Sequence, residues 1–380
     1  MKIICDRNLP YAKEAFSTLG DVSIMDGRLI QPKDLTDTEL LIIRSTCKVN
    51  RTLLEQSAVR FIGCGIIGTD HLDIPYLKER GTPWVSAPGC NAESVATYVT
   101  AALLLLGRPL EGLTLGVVGA GNVGSRVARK GRALGLRVLE NDPPRQNNSS
   151  DEEAQSFVGY DTILAESDII TYHVPMVRDG AWPTWHLLDG AAIARMKPGV
   201  VLFNAARGAV ADTDALINAR RSGKVSALVV DCWEGEPLVR TDLLPHTLLA
   251  TPHIAGHSFE GKVNGTRQVY QAACQFLGVK ASYDFHLPPP PVPEIALNAK
   301  GRPDEAVLRD LVHAVYPILA DDARFRAGCV GDAASRRRAF DFMRGHYPES
   351  RRQFETTRVM LSNASDSLCR KVAGLGFELV

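Results

Sequence analysis

The sequence predicts an α/β fold: two parallel sheets covered by helices on both faces, followed by a small C-terminal α/β module. Three observations carry this. Short apolar runs rich in Val, Ile and Leu alternate with helical patterns over most of the chain. A G-x-G-x-x-G turn joins a strand to a helix near the middle, and a proline run, LPPPPVPE, interrupts the pattern late in the chain.

In the N-terminal part KIICD, DVSIM, LLIIRS and RFIGCGI read as strands, with stretches such as YAKEAFSTLG as helices between them. A long helix runs from about Ala92 to Leu106. From TLGVVGAGNVG onwards the alternation resumes through GLRVLEND, SDIITYHV, GVVLFNA, SALVVDC and TLLATPH, a second parallel sheet. After His257 the stretch FEGKVNGTRQVYQAACQFLG is a helix that returns to the first domain. The proline run is a linker. Beyond it DEAVLRDLVHAVYPIL and RRRAFDFMRGHY are helical, TTRVMLSN and GFELV strand-like, and the apolar face of the first of these helices needs a partner. The expected division is residues 1–91 with 258–286, then 92–257, then 287–380.

With 380 residues, 45% of them hydrophobic, the chain exceeds one compact core and has ample material for several. Its formal net charge of +0 recommends neither nucleic acid nor an anionic membrane as a partner. The N-terminus MKIICDRNLP lacks the features of a signal peptide, and the most apolar run, VTAALLLLG, is far shorter than the roughly 20 residues that span a bilayer. A cytoplasmic location is therefore expected. The eight cysteines form no CxxC pair, so neither a metal site nor a disulfide framework is expected.

The glycine turn comprises Gly119, Gly121, Asn122, Val123 and Gly124, after the strand Leu115 to Val118 and at the start of a helix. That context makes the domain Rossmann-type: backbone N–H groups at a helix N-terminus hold a pyrophosphate. The next strand, RVLEND, ends at Asp142, about 20 residues on, where an acid bonds the adenosine ribose hydroxyls and repels a 2′-phosphate. NAD is the expected cofactor, with Arg145 nearby.

Three motifs follow three successive strands: NAARGAVAD, DCWEGEP and TPHIAGHS. In a doubly wound sheet, ligands bind beyond the carboxyl ends of the strands, so Arg207, Glu236 and His253 converge there although distant in sequence. Their chemistry is complementary. Oxidising a secondary alcohol needs a base for the hydroxyl proton, a role that suits His253. Glu236 orients and supports the imidazole, and Arg207 grips a carboxylate through two parallel hydrogen bonds.

GAGNVG, N-x-x-RG-x-x-x-D from Asn204 to Asp212, D-x-x-x-x-EP from Asp231 to Pro237, and Pro252-His253 together resemble the D-isomer-specific 2-hydroxyacid dehydrogenase family over about residues 1–280. The resemblance implies a Rossmann-type NAD-binding domain, a flavodoxin-like substrate domain that acts as a lid, and a C-terminal dimerisation domain in a homodimer. It places Asp231 and Gly256 beside the nicotinamide end of NAD and Val174 near the adenosine half. Ser45 would touch the substrate, with Arg44 and Lys48 as phosphate partners. A phosphorylated hydroxy acid is the substrate implied by RSTCKVN, GTDHLD, APGCNAESV and TPHIAGHSFEGK. Three positions depart from the family pattern: Ile66 and Val174 replace threonines, and His257 replaces a tyrosine and is itself a candidate substrate contact. The competing readings are a related dehydrogenase acting on 3-phosphoglycerate or glycerate, and an NAD-sensing protein without catalysis, which would have no need of the base.

Overall fold

The computed structural model describes residues 1–148 and 150–380. By internal contacts the chain forms two compact units, Met1–Asn91 with His257–Pro288, and Ala92–Gly256 with Pro289–Val380.

The first unit holds β1 (Lys2–Asp6), β2 (Asp21–Met25), β3 (Thr38–Ile43), β4 (Phe61–Cys64) and β5 (Trp84–Val85), in the order β2-β1-β3-β4-β5. Every pairing is parallel, and the order is the flavodoxin-like one. Side chains alternate between faces along a strand, and both faces of β1, β3 and β4 are buried, which is why these strands are largely apolar, while the edge strand β2 is mostly exposed. Ile3, Cys5, Leu40, Ile42 and Phe61 face Val263, Val269, Tyr270 and Ala273 of the helix Phe259–Leu277. Ile4, Leu41, Ile43 and Ile62 face Leu54 and Leu77 on the other side. The Ser258 side chain caps the helix by accepting from the Gly261 amide, and Gly278, at φ 69°, ends it. The late segment thus supplies a layer that the first 91 residues lack.

The second unit holds β6 (Thr114–Val118), β7 (Arg137–Asn141), β8 (Ile169–Tyr172), β9 (Val200–Asn204), β10 (Val225–Val230) and β11 (Leu249–Ala250), in the order β11-β10-β9-β8-β6-β7. This sheet is also wholly parallel. Its order reverses between β6 and β8, which opens the ligand crevice at their carboxyl ends. The long helix runs Ala92–Leu103 and tightens into a 3₁₀ turn at Leu104–Leu106. Among the described residues no helix is long and apolar enough to cross a membrane.

After the proline run, β12 (Glu294–Asn298), β13 (Arg358–Ser362) and β14 (Glu378–Leu379) form a separate parallel sheet. β12 was hidden in the sequence by the prolines before it and by its mixed polar and apolar residues. The first helix beyond it splits at Pro317 into Asp304–Val315 and Ile318–Gly328, because proline has no N–H to continue the ladder. Its Val307, Leu308, Leu311 and Val312 join the cluster of Tyr98, Val99 and Ala102 on the long helix. That shared core makes the C-terminal module one unit with the dinucleotide-binding sheet.

In the first unit, a Cβ on Gly265 would lie 2.2 Å from the Gly65 carbonyl oxygen. Backbone, unlike a side-chain tip, cannot yield cheaply. Gly265→Ala is expected to destabilise the protein by about 1–3 kcal/mol, read as a lower denaturant midpoint with an unchanged slope.

Candidate active site

The loops after β9, β10 and β11 carry Arg207, Glu236 and His253, and short backbone contacts lock them together. Asn204, the last residue of β9, donates through Nδ2 to the carbonyls of Arg207 at 3.1 Å and Cys232 at 3.3 Å. Gly208 lies so near the Trp233 carbonyl that a Cβ would fall 1.9 Å from its oxygen. A side chain there would force the loops apart. This is the local reason for Asn and Gly in N-x-x-RG. Arg207 is half-buried and donates through Nη1 to the Ala206 carbonyl at 2.9 Å.

His253 Nδ1 lies 2.5 Å from Glu236 Oε1, and the second carboxylate oxygen, Oε2, accepts the Trp233 amide at 3.0 Å. Burial pushes the Glu236 carboxyl up, but His253, Arg344 and the Trp233 amide together hold it below its ordinary value. An ionised carboxylate only accepts, so Nδ1 carries the proton and Nε2 is left as the acceptor. The His253 backbone is left-handed, at φ 54°, a conformation that costs a non-glycine residue energy and needs support. Asp231 gives it. Fully buried, Asp231 accepts from the Thr251 hydroxyl at 2.7 Å, the Ile254 amide at 2.8 Å and the Ala255 amide at 3.0 Å. The His253 amide itself donates to the Asp231 carbonyl at 2.7 Å.

The glycine turn has the shape a dinucleotide requires. Gly119, at φ 89°, packs against the His173 carbonyl and Val174 Cγ1, each 2.9 Å from the place a Cβ would take, and a Cβ on Gly124 would meet the Gly119 carbonyl oxygen at 1.9 Å. Beside Gly121 that position is open, with nothing within 4 Å. Gly121 precedes Asn122 and Val123, the first residues of the helix Asn122–Ala133. The positive helix end is therefore approachable where the pyrophosphate of NAD would lie. Asp142 Oδ2 accepts the Ala120 amide at 2.9 Å, which ties the end of β7 to this turn.

The remaining expected residues lie elsewhere. Ser45, exposed, and Arg44, half-buried, follow β3 in the first unit; Ile66 follows β4, and His257 precedes the cap of the helix Phe259–Leu277. Gly256 ends the first segment of the second unit, two residues beyond Ile254.

A family model described as "D-isomer specific 2-hydroxyacid dehydrogenase, NAD binding domain" matches residues 92–255, and a "Domain of unknown function (DUF3410)" matches 286–376. An erythronate-4-phosphate dehydrogenase of Azotobacter vinelandii is 45% identical over 386 aligned positions, spanning 100% of both chains. That of Aeromonas salmonicida is 44% identical, over 100% of this chain and 99% of its own. The chain belongs to the erythronate-4-phosphate dehydrogenase family. Members of this family are D-2-hydroxyacid dehydrogenases by fold and NAD-dependent oxidoreductases by class. A solved relative, D-lactate dehydrogenase from Aquifex aeolicus complexed with NAD and lactic acid, superposes with a TM-score of 0.61 at 27% identity, covering 73% of this chain and 95% of its own.

Several residues of this dehydrogenase have no warning in the sequence. Trp233 is buried, donates through Nε1 to the Thr251 carbonyl at 2.8 Å and packs 5.3 Å from Phe325 of the C-terminal module. Arg344 of that module acts on Glu236 through its charge. His173, just after β8, is half-buried, with Nε2 2.9 Å from Thr171 Oγ1.

Burial lowers the His173 pKa from 6.5 to about 3. The unfolded chain takes up a proton there near pH 6.5 and the folded chain does not, so this residue makes stability fall as pH drops from about 6.5 towards 3. His173→Gln is expected to flatten that acid limb. The difference in melting temperature between wild type and variant, followed against pH, checks it; parallel curves would refute the assignment.

Proposed function

We propose that this chain oxidises 4-phospho-D-erythronate to (R)-3-hydroxy-2-oxo-4-phosphobutanoate with NAD, a step towards pyridoxal 5′-phosphate, as a cytoplasmic homodimer joined through its C-terminal module. The observation that carries the reading is the 2.5 Å contact of His253 with a Glu236 held below its ordinary pKa. That pairing leaves Nε2 as a base and stabilises the imidazolium it becomes.

In this mechanism Arg207 grips the substrate carboxylate bidentately and polarises the carbonyl that forms at C2. His253 Nε2 takes the C2 hydroxyl proton, and Glu236 Oε1 holds the resulting positive charge through Nδ1–H. NAD, when bound, would supply the acceptor for the hydride that leaves C2. Gly119, Gly121, Asn122, Val123 and Gly124 would hold its pyrophosphate and Asp142 its adenosine ribose, with Val174 beside the adenosine half and Asp231 and Gly256 towards the nicotinamide end. Resemblance supports Ser45 as a substrate contact, charge supports Arg44 and Lys48 as partners for the substrate phosphate, and a protonated His257 would suit the same phosphate. Ile66 and Val174 offer no hydroxyl where threonines are usual, so this pocket grips through charge more than through neutral hydrogen bonds.

NADH formation on 4-phosphoerythronate, 3-phosphoglycerate and unphosphorylated erythronate tests the reading. The first is expected to give the highest kcat/KM, and His253→Ala and Arg207→Ala to lower kcat by at least about 10²-fold. Equal kcat/KM on unphosphorylated erythronate would refute the substrate, unchanged turnover in His253→Ala the mechanism, and a preference for NADP the role of Asp142.

A further inference from the structure

Arg351 lies in the C-terminal module, between the helix Ala333–Gly345 and the short turn Phe354–Thr356. It is only 4% exposed. A buried guanidinium is expensive unless its donors are met; here Nη1 and Nη2 meet backbone carbonyls of the histidine loop and of the long helix, while Nε has no hydrogen-bond partner among the described residues. Nη1 donates to the Ile254 carbonyl at 2.5 Å, and Nη2 donates to the carbonyls of Ala255 at 2.6 Å and Ser94 at 2.8 Å. The guanidinium rests 4.2 Å above the Tyr316 ring. The hydroxyls of Tyr316 and Tyr347 both donate to Asp321 Oδ2, at 2.8 and 2.5 Å, which fixes the platform beneath it.

The two residues that follow His253 are thereby held from both sides. Their amides point at the Asp231 carboxylate and their carbonyls at Arg351, and the peptide unit that joins Ile254 to Ala255 lies with its whole dipole between an acid and a base. The residue just before them is His253, in its left-handed conformation. Such a conformation persists only where its surroundings over-determine it, and Asp231 with Arg351 does so.

We propose that Arg351 is a positioning residue for the reaction: it clamps loop 253–256 so that the His253 imidazole stays against Glu236 and the backbone at Gly256 keeps its place. The C-terminal module is then a working part of the catalytic site as well as an assembly surface. The proposal rests on His253 as the proton acceptor.

The test uses full-length protein with 4-phosphoerythronate and NAD, comparing Arg351→Met, Arg351→Ala, Arg351→Lys, Tyr316→Leu and His253→Ala for kcat, KM, the pH profile of kcat/KM and melting temperature. Misplacing a base by about 1 Å costs on the order of 10²-fold in rate, so Arg351→Met is expected to lose about that much kcat while KM for NAD changes far less. The acid limb of its pH profile should move to lower pH, because the contact with Glu236 that favours the imidazolium loosens. Arg351→Lys recovers part of the rate. Guanidinium ion at low millimolar concentration restores part of it in Arg351→Ala and none in His253→Ala. Tyr316→Leu, which keeps the charge and removes its platform, loses roughly tenfold and serves if the Arg351 variants do not fold. Variants that melt earlier yet keep kcat and pH profile would overturn the proposal and leave a purely structural arginine. Turnover retained in His253→Ala would instead overturn the mechanism on which it rests.

Discussion

The buried carboxylate of Asp231 is the constraint on which the catalytic face depends. It sits at the end of β10 with no access to water, and burial raises its pKa even though His253 and three donors pull the other way. A carboxyl in that position is costly unless its lone pairs are used. Here they are spent on Thr251, Ile254 and Ala255, the residues on either side of His253. The Thr251 hydroxyl accepts in turn from Tyr98 at 2.8 Å, so the strained histidine loop is anchored through side chains to the long helix Ala92–Leu103. The hydrogen bonds from Thr251, Ile254 and Ala255 offset the desolvation of Asp231 and hold His253 in its left-handed conformation.

Around that anchor the site is built from backbone more than from side chains. Asn204 spans the loops after β9 and β10, and Gly208 lets them touch. A further pair, His186 Nε2 with Glu234 Oε1 at 2.6 Å, joins the segment after β8 to the same loop. Contacts this short leave little freedom, which suits a reaction whose rate depends on the placement of a base to within about an ångström. The charges are graded as well. His173 is kept neutral by burial at one strand end, while Glu236 is kept ionised at another.

The sheets and the turn of Gly119 to Gly124 were legible because each follows from local pattern: apolar strands covered on both faces, and glycines where a Cβ has no room. Arg207, Glu236 and His253 were legible because strand ends in a doubly wound sheet converge, so sequence position becomes spatial position. What escaped the sequence depends on distant partners. Arg351 carries no local signal, because its acceptors lie 97 and 257 residues away. Trp233 reads as one more apolar residue until Phe325 is placed against it. Asp231 was visible beside the cofactor by resemblance, but the use of its two oxygens was not. β12 was lost among prolines, and the break at Pro317 was passed over because the apolar periodicity continues through it.

The discontinuity of the first unit bears on how the chain is made. Its sheet is complete after 91 residues, but one face stays uncovered until the helix Phe259–Leu277 exists. At a synthesis rate of about 5–20 residues per second, the whole of the intervening sheet is translated first, a delay on the order of ten seconds. During that time Ile3, Leu40, Ile42 and Phe61 present an apolar surface to whatever is near the ribosome. The Rossmann-type sheet can close locally in that interval, strand by strand. The N-terminal sheet, first to be synthesised, is thus among the last parts able to complete its core.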